Sequence, residues 1–287
     1  MQIYRSEVMG YCRGVSGVIS LAQTCIDMAA EKGLPAYSIG WFIHNPTVVQ
    51  RFVSQGMIHI DGPAGIPPGV ALVRAHGISD PLRKEFIDAG FILIDGTCGT
   101  VAHSQQLVRM CRKDQHVVIV GLRTHSEVVA LSSVFDDEGN IVPVSVVETT
   151  GDIDKLKAFS TSQFKVVVQT TFDSAQFSTI MEELYFRYPD TILANRLCPS
   201  TKRRHDALLE MLKVVDAVLV IGGKISANTT ALARLVESRK VPVWHIENER
   251  EIPEEIYSFN HVGVTAGTST PEEDIDAIIR TLEEKSI

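Results

Sequence analysis

Short runs of Val, Ile and Leu recur along the chain, and each is followed by a polar loop and then by a segment with helical period. Because the runs are continuously apolar and do not alternate with polar residues, they suit strands that are covered on both faces. The pattern therefore predicts an α/β protein with parallel sheets. The predicted strands are 69–77, 90–98, 116–127, 165–171, 216–224, 241–247 and 261–269.

Three of the strand-to-helix turns are built alike. In each, an apolar stretch leads to a cysteine and then to a helical pattern, at Cys12, Cys98 and Cys198. The repetition predicts three small α/β units, each offering one thiol at its turn. We expect the first unit at 14–97, the second at 98–194, and the third from 1–13 together with 195–287. Since ligands of open α/β sheets bind at the carboxyl ends of the strands, the three thiols could meet on a common axis.

Composition narrows the possible classes of protein. The chain has 287 residues, of which 45% are hydrophobic, so it can bury the cores of two or three units. A formal net charge of -8 argues against a nucleic-acid or membrane-surface partner. The start lacks a signal-peptide layout and no apolar run is long enough to span a bilayer, so we expect a cytoplasmic protein.

The chain has five cysteines, an odd number, and in a reducing compartment we expect no disulfide framework. Cys25 and Cys111 lie on helical patterns near apolar faces, where a free cysteine acts as a small hydrophobe, so we interpret both as structural. The other three fit a cluster held by three thiolates. A zinc site would need a fourth ligand, which a histidine could supply. A 4Fe-4S cluster with three cysteine ligands leaves one iron open to a substrate oxygen.

The loops that follow the predicted strands also carry histidines, hydroxyls and amides. Any one of them alone is more often a solvated or helix-capping residue. Together they suit a small phosphate or diphosphate ester, because each offers a donor to an anionic oxygen. No Walker or dinucleotide-binding motif is present. The residues are His44, His76, His125, Gln169, Thr170, Ser226, Asn228 and Ser269.

Glu127 is the one carboxylate placed with these histidines. An acid beside an electron-donating cluster is what a reductive dehydration needs, because the departing hydroxyl must be protonated. The alternative is an ordinary glutamate in the first turn of a helix.

These segments together resemble the 4-hydroxy-3-methylbut-2-enyl diphosphate reductase family of the methylerythritol phosphate route to isoprenoids. The likeness runs in order from residue 10 to residue 271. It is carried by "GYCRGV", "IHNPTVV", "AHGIS", "DGTCGTV", "THSE", "QTT", a late single cysteine, "GKISAN" and "AGTSTP".

The resemblance implies a trefoil-like arrangement of three α/β units around a central, oxygen-sensitive 4Fe-4S cluster. It also implies an oxidoreductase that removes the allylic hydroxyl of its substrate to give isopentenyl and dimethylallyl diphosphate. A ferredoxin or flavodoxin would supply the electrons. The implied cluster ligands are Cys12, Cys98 and Cys198; the implied diphosphate ligands are His44, His76, His125, Ser226, Asn228 and Ser269. Glu127 would deliver a proton and Thr170 would orient the substrate hydroxyl.

The sequence departs from the family at Arg13, Gly99, Ser126 and Ala227. Arg13 would put a cation beside the cluster and favour its reduced state. Three other functions fit the same residues: a diverged paralogue acting on another small phosphorylated or allylic substrate, a non-catalytic iron–sulfur sensor, and a structural zinc protein.

Overall fold

The computed structural model describes residues 1–43, 45–159 and 163–285. His44, a predicted diphosphate ligand, lies outside the described residues. The strands are β1 Gln2–Arg5, β2 Ala36–Ile39, β3 Met57–Ile60, β4 Val70–Val73, β5 Ile92–Asp95, β6 Gln115–Val120, β7 Val144–Val147, β8 Gln163–Val168, β9 Ile192–Leu193, β10 Ala217–Ile221, β11 Val243–Ile246 and β12 His261–Ala266. The α-helices are α1 Arg13–Lys32, α2 Pro46–Val53, α3 Asp80–Asp88, α4 Gly99–Arg109, α5 Ser126–Leu131, α6 Ser174–Arg187, α7 Pro199–Met211, α8 Ala227–Ser238 and α9 Glu272–Glu284.

Across the described ranges the strands form three parallel sheets, which confirms the predicted α/β class. Their orders are β3-β2-β4-β5, β7-β6-β8-β9 and β1-β12-β10-β11. The central strands are completely buried, as in β4 and β10. Strands covered on both faces explain the unbroken apolar runs in the sequence.

The chain divides into two compact units, which we call unit 1 and unit 2. Unit 1 comprises Met1–Ser16, Ile43–Val49 and Cys198–Ile287, and unit 2 comprises Gly17–Phe42 and Gln50–Leu197. Unit 1 holds the sheet β1-β12-β10-β11, and unit 2 holds the other two sheets. The three-unit boundaries expected from the sequence stay a prediction.

Each of the seven predicted strands overlaps an observed strand, but the predictions extend too far toward the carboxyl end. The run 116–127, for example, overlaps β6, which ends at Val120, while α5 already begins at Ser126. The sequence missed β1, β2, β3, β7 and β9 because these are short or interrupted by polar residues. Where the chain is described, no helix has both the length and the apolarity to cross a membrane.

Candidate functional site

Two of the predicted cluster cysteines stand at the N-terminal end of a helix. Cys98 is the N-cap of α4 and Cys198 is the N-cap of α7, and neither side chain makes a capping hydrogen bond. Their carbonyls instead begin the helices, accepting hydrogen bonds from Ala102 N at 2.9 Å and Lys202 N at 3.0 Å. The helix ends therefore make no use of the two thiols.

Cys12 directly precedes α1 in unit 1. Its N–H donates to the Thr268 carbonyl at 3.3 Å, and its own carbonyl accepts from Ser16 N at 2.9 Å. Thr268 lies just after β12, so the Cys12 loop is joined to the carboxyl end of that strand. All three thiols are partly exposed and unoxidised.

Unit 1 also holds the predicted phosphate-binding residues of α8. Ser226 is the N-cap of α8, where its Oγ accepts from Thr229 N at 3.4 Å and keeps its own proton to donate. Asn228, one residue into the helix, is 2% exposed, and neither its Nδ2 nor its Oδ1 has a hydrogen-bond partner within the described chain. A buried amide in that state is costly and needs an explanation, and a bound ligand would provide one.

Ser269 is buried in the loop after β12. Its carbonyl accepts from Asn45 Nδ2 at 3.1 Å, and Asn45 Oδ1 accepts from Val48 N at the start of α2. Asn45 thus links the Ser269 loop to the start of α2, which begins within the motif "IHNPT". The sequence contained Asn45 in this motif, but nothing in it indicated a partner more than 200 residues away.

In unit 2 two of the predicted histidines meet after the carboxyl ends of β4 and β6, which belong to different sheets. The rings of His76 and His125 lie edge to face, with centroids 5.2 Å apart. The Cys98 N–H donates to the carbonyl of Ala75, the residue before His76, at 2.9 Å. His125 is the N-cap of α5, and its Nδ1 accepts from Glu127 N at 3.2 Å. The neutral ring therefore carries its proton on Nε2, which can donate to an anion.

Glu127 is buried, with 1% of its surface exposed. Both carboxyl oxygens accept hydrogen bonds from one residue: Oε1 from Thr170 N at 2.8 Å and Oε2 from Thr170 Oγ1 at 2.8 Å. Burial raises the pKa of Glu127 to about 7, even though the two hydrogen bonds from Thr170 lower it. A carboxyl with this pKa is protonated for part of the time near neutral pH and can act as an acid.

The pairing of β6 with β8 brings these two residues together, since Glu127 follows β6 and Thr170 follows β8. Gln169 secures the same edge of the sheet: its Oε1 accepts from Leu122 N at 3.0 Å. A Cβ at Gly121 would lie 2.8 Å from the Gln169 Cβ, so only glycine allows this approach. Gln169 is thus a supporting residue whose amide is engaged by the protein.

The two cysteines interpreted as structural have structural surroundings. Cys25 is fully buried in α1, its Sγ donates to the Val70 carbonyl at 3.4 Å, and burial raises its pKa to about 11. Cys111 is half-buried, and burial raises its pKa as well. Both thiols are therefore poor nucleophiles and poor ligands at neutral pH.

The residues present fit an iron–sulfur cluster in their donor chemistry. Cys12 and Cys198 share a buried cation, Arg204, whose guanidinium contacts both cysteine loops. Within the described ranges, no three His, Cys, Asp or Glu side chains are grouped as ligands of one metal ion. A cluster requires no such group, because each thiolate binds a different iron.

The comparisons with known proteins cover almost the whole chain. The family model described as "LytB protein" matches residues 3–283. A Treponema denticola protein named 4-hydroxy-3-methylbut-2-enyl diphosphate reductase is 34% identical, over 98% of this chain and 99% of that protein. The Chlamydia trachomatis protein of the same name is 32% identical, over 96% of this chain and 89% of that protein.

Solved structures agree. The E-1-hydroxy-2-methyl-but-2-enyl-4-diphosphate reductase from Plasmodium falciparum matches with a TM-score of 0.89 at 26% identity, covering 98% of this chain and 87% of that one. A second structure, titled (E)-4-hydroxy-3-methyl-but-2-enyl diphosphate reductase, matches with a TM-score of 0.72 at 27% identity, covering 99% and 100%. This chain belongs to the LytB protein family.

Proposed function

We propose that this chain is a 4-hydroxy-3-methylbut-2-enyl diphosphate reductase, an oxidoreductase of the last step of the methylerythritol phosphate route. It removes the allylic hydroxyl with two electrons and two protons, giving isopentenyl and dimethylallyl diphosphate and water. The relatives that carry this name match the chain over nearly its full length. The observation that carries the proposal is the buried Glu127 carboxyl, held by Thr170 and with its pKa raised to about 7.

Glu127 delivers the proton that lets the hydroxyl leave as water. Its carboxyl is buried, so the proton stays on it up to neutral pH instead of being lost below pH 5. Thr170 donates to both oxygens of the carboxyl, and in this proposal its hydroxyl orients the substrate oxygen. Replacement of a general acid of this kind commonly lowers the rate by about 10²–10⁴-fold.

The diphosphate is held by hydrogen-bond donors at strand ends and helix starts. In unit 1 these are Ser226, Asn228 and Ser269, and the assignment is supported by the amide of Asn228, which has no partner in the described part of the chain. In unit 2, His76 and His125, whose rings lie edge to face, contribute ring N–H groups to the anion. His44 completes the set by its position in the family motif.

Cys12, Cys98 and Cys198 hold a 4Fe-4S cluster in this proposal. The ligand set rests on the sequence resemblance and on the three thiols at helix starts. When bound, the cluster would pass on the two electrons one at a time from its donor and would offer a Lewis-acidic iron that lacks a thiolate. A ferredoxin or flavodoxin type donor reduces it, and the cytoplasmic location expected from the sequence remains a prediction.

The test is anaerobic turnover of 4-hydroxy-3-methylbut-2-enyl diphosphate by cluster-reconstituted protein, followed by oxidation of a reduced viologen. Iron and sulfide are measured beforehand. Steady oxidation with both product diphosphates supports the proposal. A fully loaded protein that leaves this substrate unchanged overturns it: turnover of another small phosphorylated substrate would then identify a paralogue, and a ligand-sensitive cluster without turnover would identify a sensor.

A further inference from the structure

Arg204 lies in the second turn of α7 with a side chain that is almost wholly buried. It is 2% exposed, and it is the largest of the fully buried side chains in the described part of the protein. A guanidinium keeps its charge at any physiological pH, so burial of this group is costly unless something nearby is negative.

The usual partner is missing. No Asp or Glu oxygen in the described ranges forms an ion pair with Arg204, and its Nε has no hydrogen-bond partner there. Arg109, by contrast, is less deeply buried and pairs with Asp80 at 2.8 Å. A buried arginine without a carboxylate indicates that a different kind of anion balances its charge.

The guanidinium makes its hydrogen bonds to the two cysteine loops of unit 1. Its Nη2 donates to the Gly10 carbonyl, two residues before Cys12. Its Nη1 donates to the Ser200 hydroxyl and, at 3.3 Å, to the Ser200 carbonyl, two residues after Cys198. One planar cation therefore ties the start of α7 to the loop that precedes α1.

Burial lowers the pKa of Arg204, negative charge on Cys12 or Cys198 would raise it, and the positive charge of Arg203 lowers it. The nearby Arg203 is exposed on the same helix, where solvent screens its charge.

We propose that Arg204 is a positioning residue for the cluster: it fixes the Cys12 and Cys198 loops relative to each other and its buried charge raises the cluster's reduction potential. This inference rests on the proposed function, since it requires a cluster on these thiolates. A nearby positive charge stabilises the reduced cluster, which carries one more negative charge, in preference to the oxidised one. Arg204 would thereby make the cluster easier for its donor to reduce.

The experiment compares four cluster-reconstituted proteins: wild type, R204Q, R204K and R203Q. Their midpoint potentials are measured by anaerobic spectroelectrochemistry without substrate, after checking iron content and circular dichroism. We expect R204Q to shift the one-electron equilibrium at least tenfold toward the oxidised cluster, which is about 59 mV. R204K keeps the charge, so its one-electron equilibrium should stay within threefold of wild type. The same holds for R203Q, which loses only a solvated charge.

An unchanged potential in R204Q overturns the inference, and so does an equal shift in R203Q. If R204Q does not fold, R204K decides alone: a folded R204K with a tenfold shift contradicts the assigned role of the charge. Turnover is measured separately. If the wild type takes up no cluster, both the proposed function and the inference are wrong. If it takes up a cluster but does not turn over substrate, only the proposed function is wrong. If the wild type is active and R204Q has an unshifted potential, only the inference is wrong.

Discussion

Thr170 donates to both carboxyl oxygens of Glu127, from its backbone N–H to Oε1 and from its hydroxyl to Oε2, each at 2.8 Å. Without these bonds burial would raise the pKa of Glu127 further, so the pair sets the acidity of this carboxyl near neutrality. The two residues are 43 positions apart in the chain and meet because β6 and β8 are neighbours.

Replacing Glu127 by glutamine removes the proton donor and keeps the shape of the side chain. We expect turnover to fall by about 10²–10⁴-fold, with cluster content and fold retained. Anaerobic kinetics with iron analysis measure both effects. E182Q, which changes an exposed glutamate of α6, is the matched control and should retain wild-type turnover. Full activity in E127Q would show that the proton comes from elsewhere.

The pH dependence of turnover should report the Glu127 carboxyl. Because the protonated form is the active one, the wild-type rate should fall as pH rises above about 7. T170V loses the hydroxyl that stabilises the carboxylate, so the pKa of Glu127 rises and the fall in rate moves to higher pH. T170S keeps the hydroxyl, so the rate should fall at the same pH as in wild type. A fall at lower pH in T170V would contradict the assignment.

Replacing either of two buried asparagines by leucine should have opposite effects on stability. Among the described residues the Asn228 side chain has no hydrogen-bond partner, so N228L should leave the melting temperature unchanged or raise it, while raising KM for the diphosphate at least about tenfold. Asn195 bonds to Val168 N, Val168 O and Ser104 Oγ, so N195L should lower the free energy of unfolding by about 3 kcal/mol or more. Thermal unfolding and steady-state kinetics separate the two effects. A destabilised N228L with unchanged KM would make Asn228 structural.

Variants of the five cysteines should fall into two groups according to the iron content of the reconstituted protein. Serine at Cys12, Cys98 or Cys198 should lower iron and sulfide after reconstitution, because a hydroxyl is a far weaker cluster ligand than a thiolate. C25A should keep the full cluster and lose about 1–2 kcal/mol of stability, since it removes a buried sulfur. C111S is a second control. A full cluster in any of the first three variants would remove that cysteine from the ligand set.

The sequence identified most residues of the candidate site because they sit in local motifs. A cysteine that precedes a helix, or a "THSE" segment after an apolar run, is visible without coordinates. The strand predictions failed mainly at their carboxyl ends, where residues such as Arg123 and His125 had been included in a strand, although β6 ends at Val120. Apolar character marks the buried part of a strand, whereas its last residue is decided by the neighbours with which it pairs.

Other features had no local signal. The sequence did not single out Arg204, which is buried and contacts both cysteine loops. Arg13, the cation expected beside the cluster, is exposed, and its role stays a prediction. Asn45 could be placed in a motif, but its hydrogen bond to the Ser269 carbonyl could not be predicted from the sequence. Both the Arg204 and the Asn45 interactions depend on contacts between segments about 200 residues apart, which no spacing along the chain records.

By itself the sequence determined the α/β class, the three helix-start cysteines and the polar residues at strand ends, because hydrophobic period and helix capping are local properties of a chain. The tertiary structure alone decided the acidity of Glu127, the burial of Asn228 and the partners of Arg204. Burial and charge are properties of everything that surrounds a group, and only the folded chain fixes those surroundings.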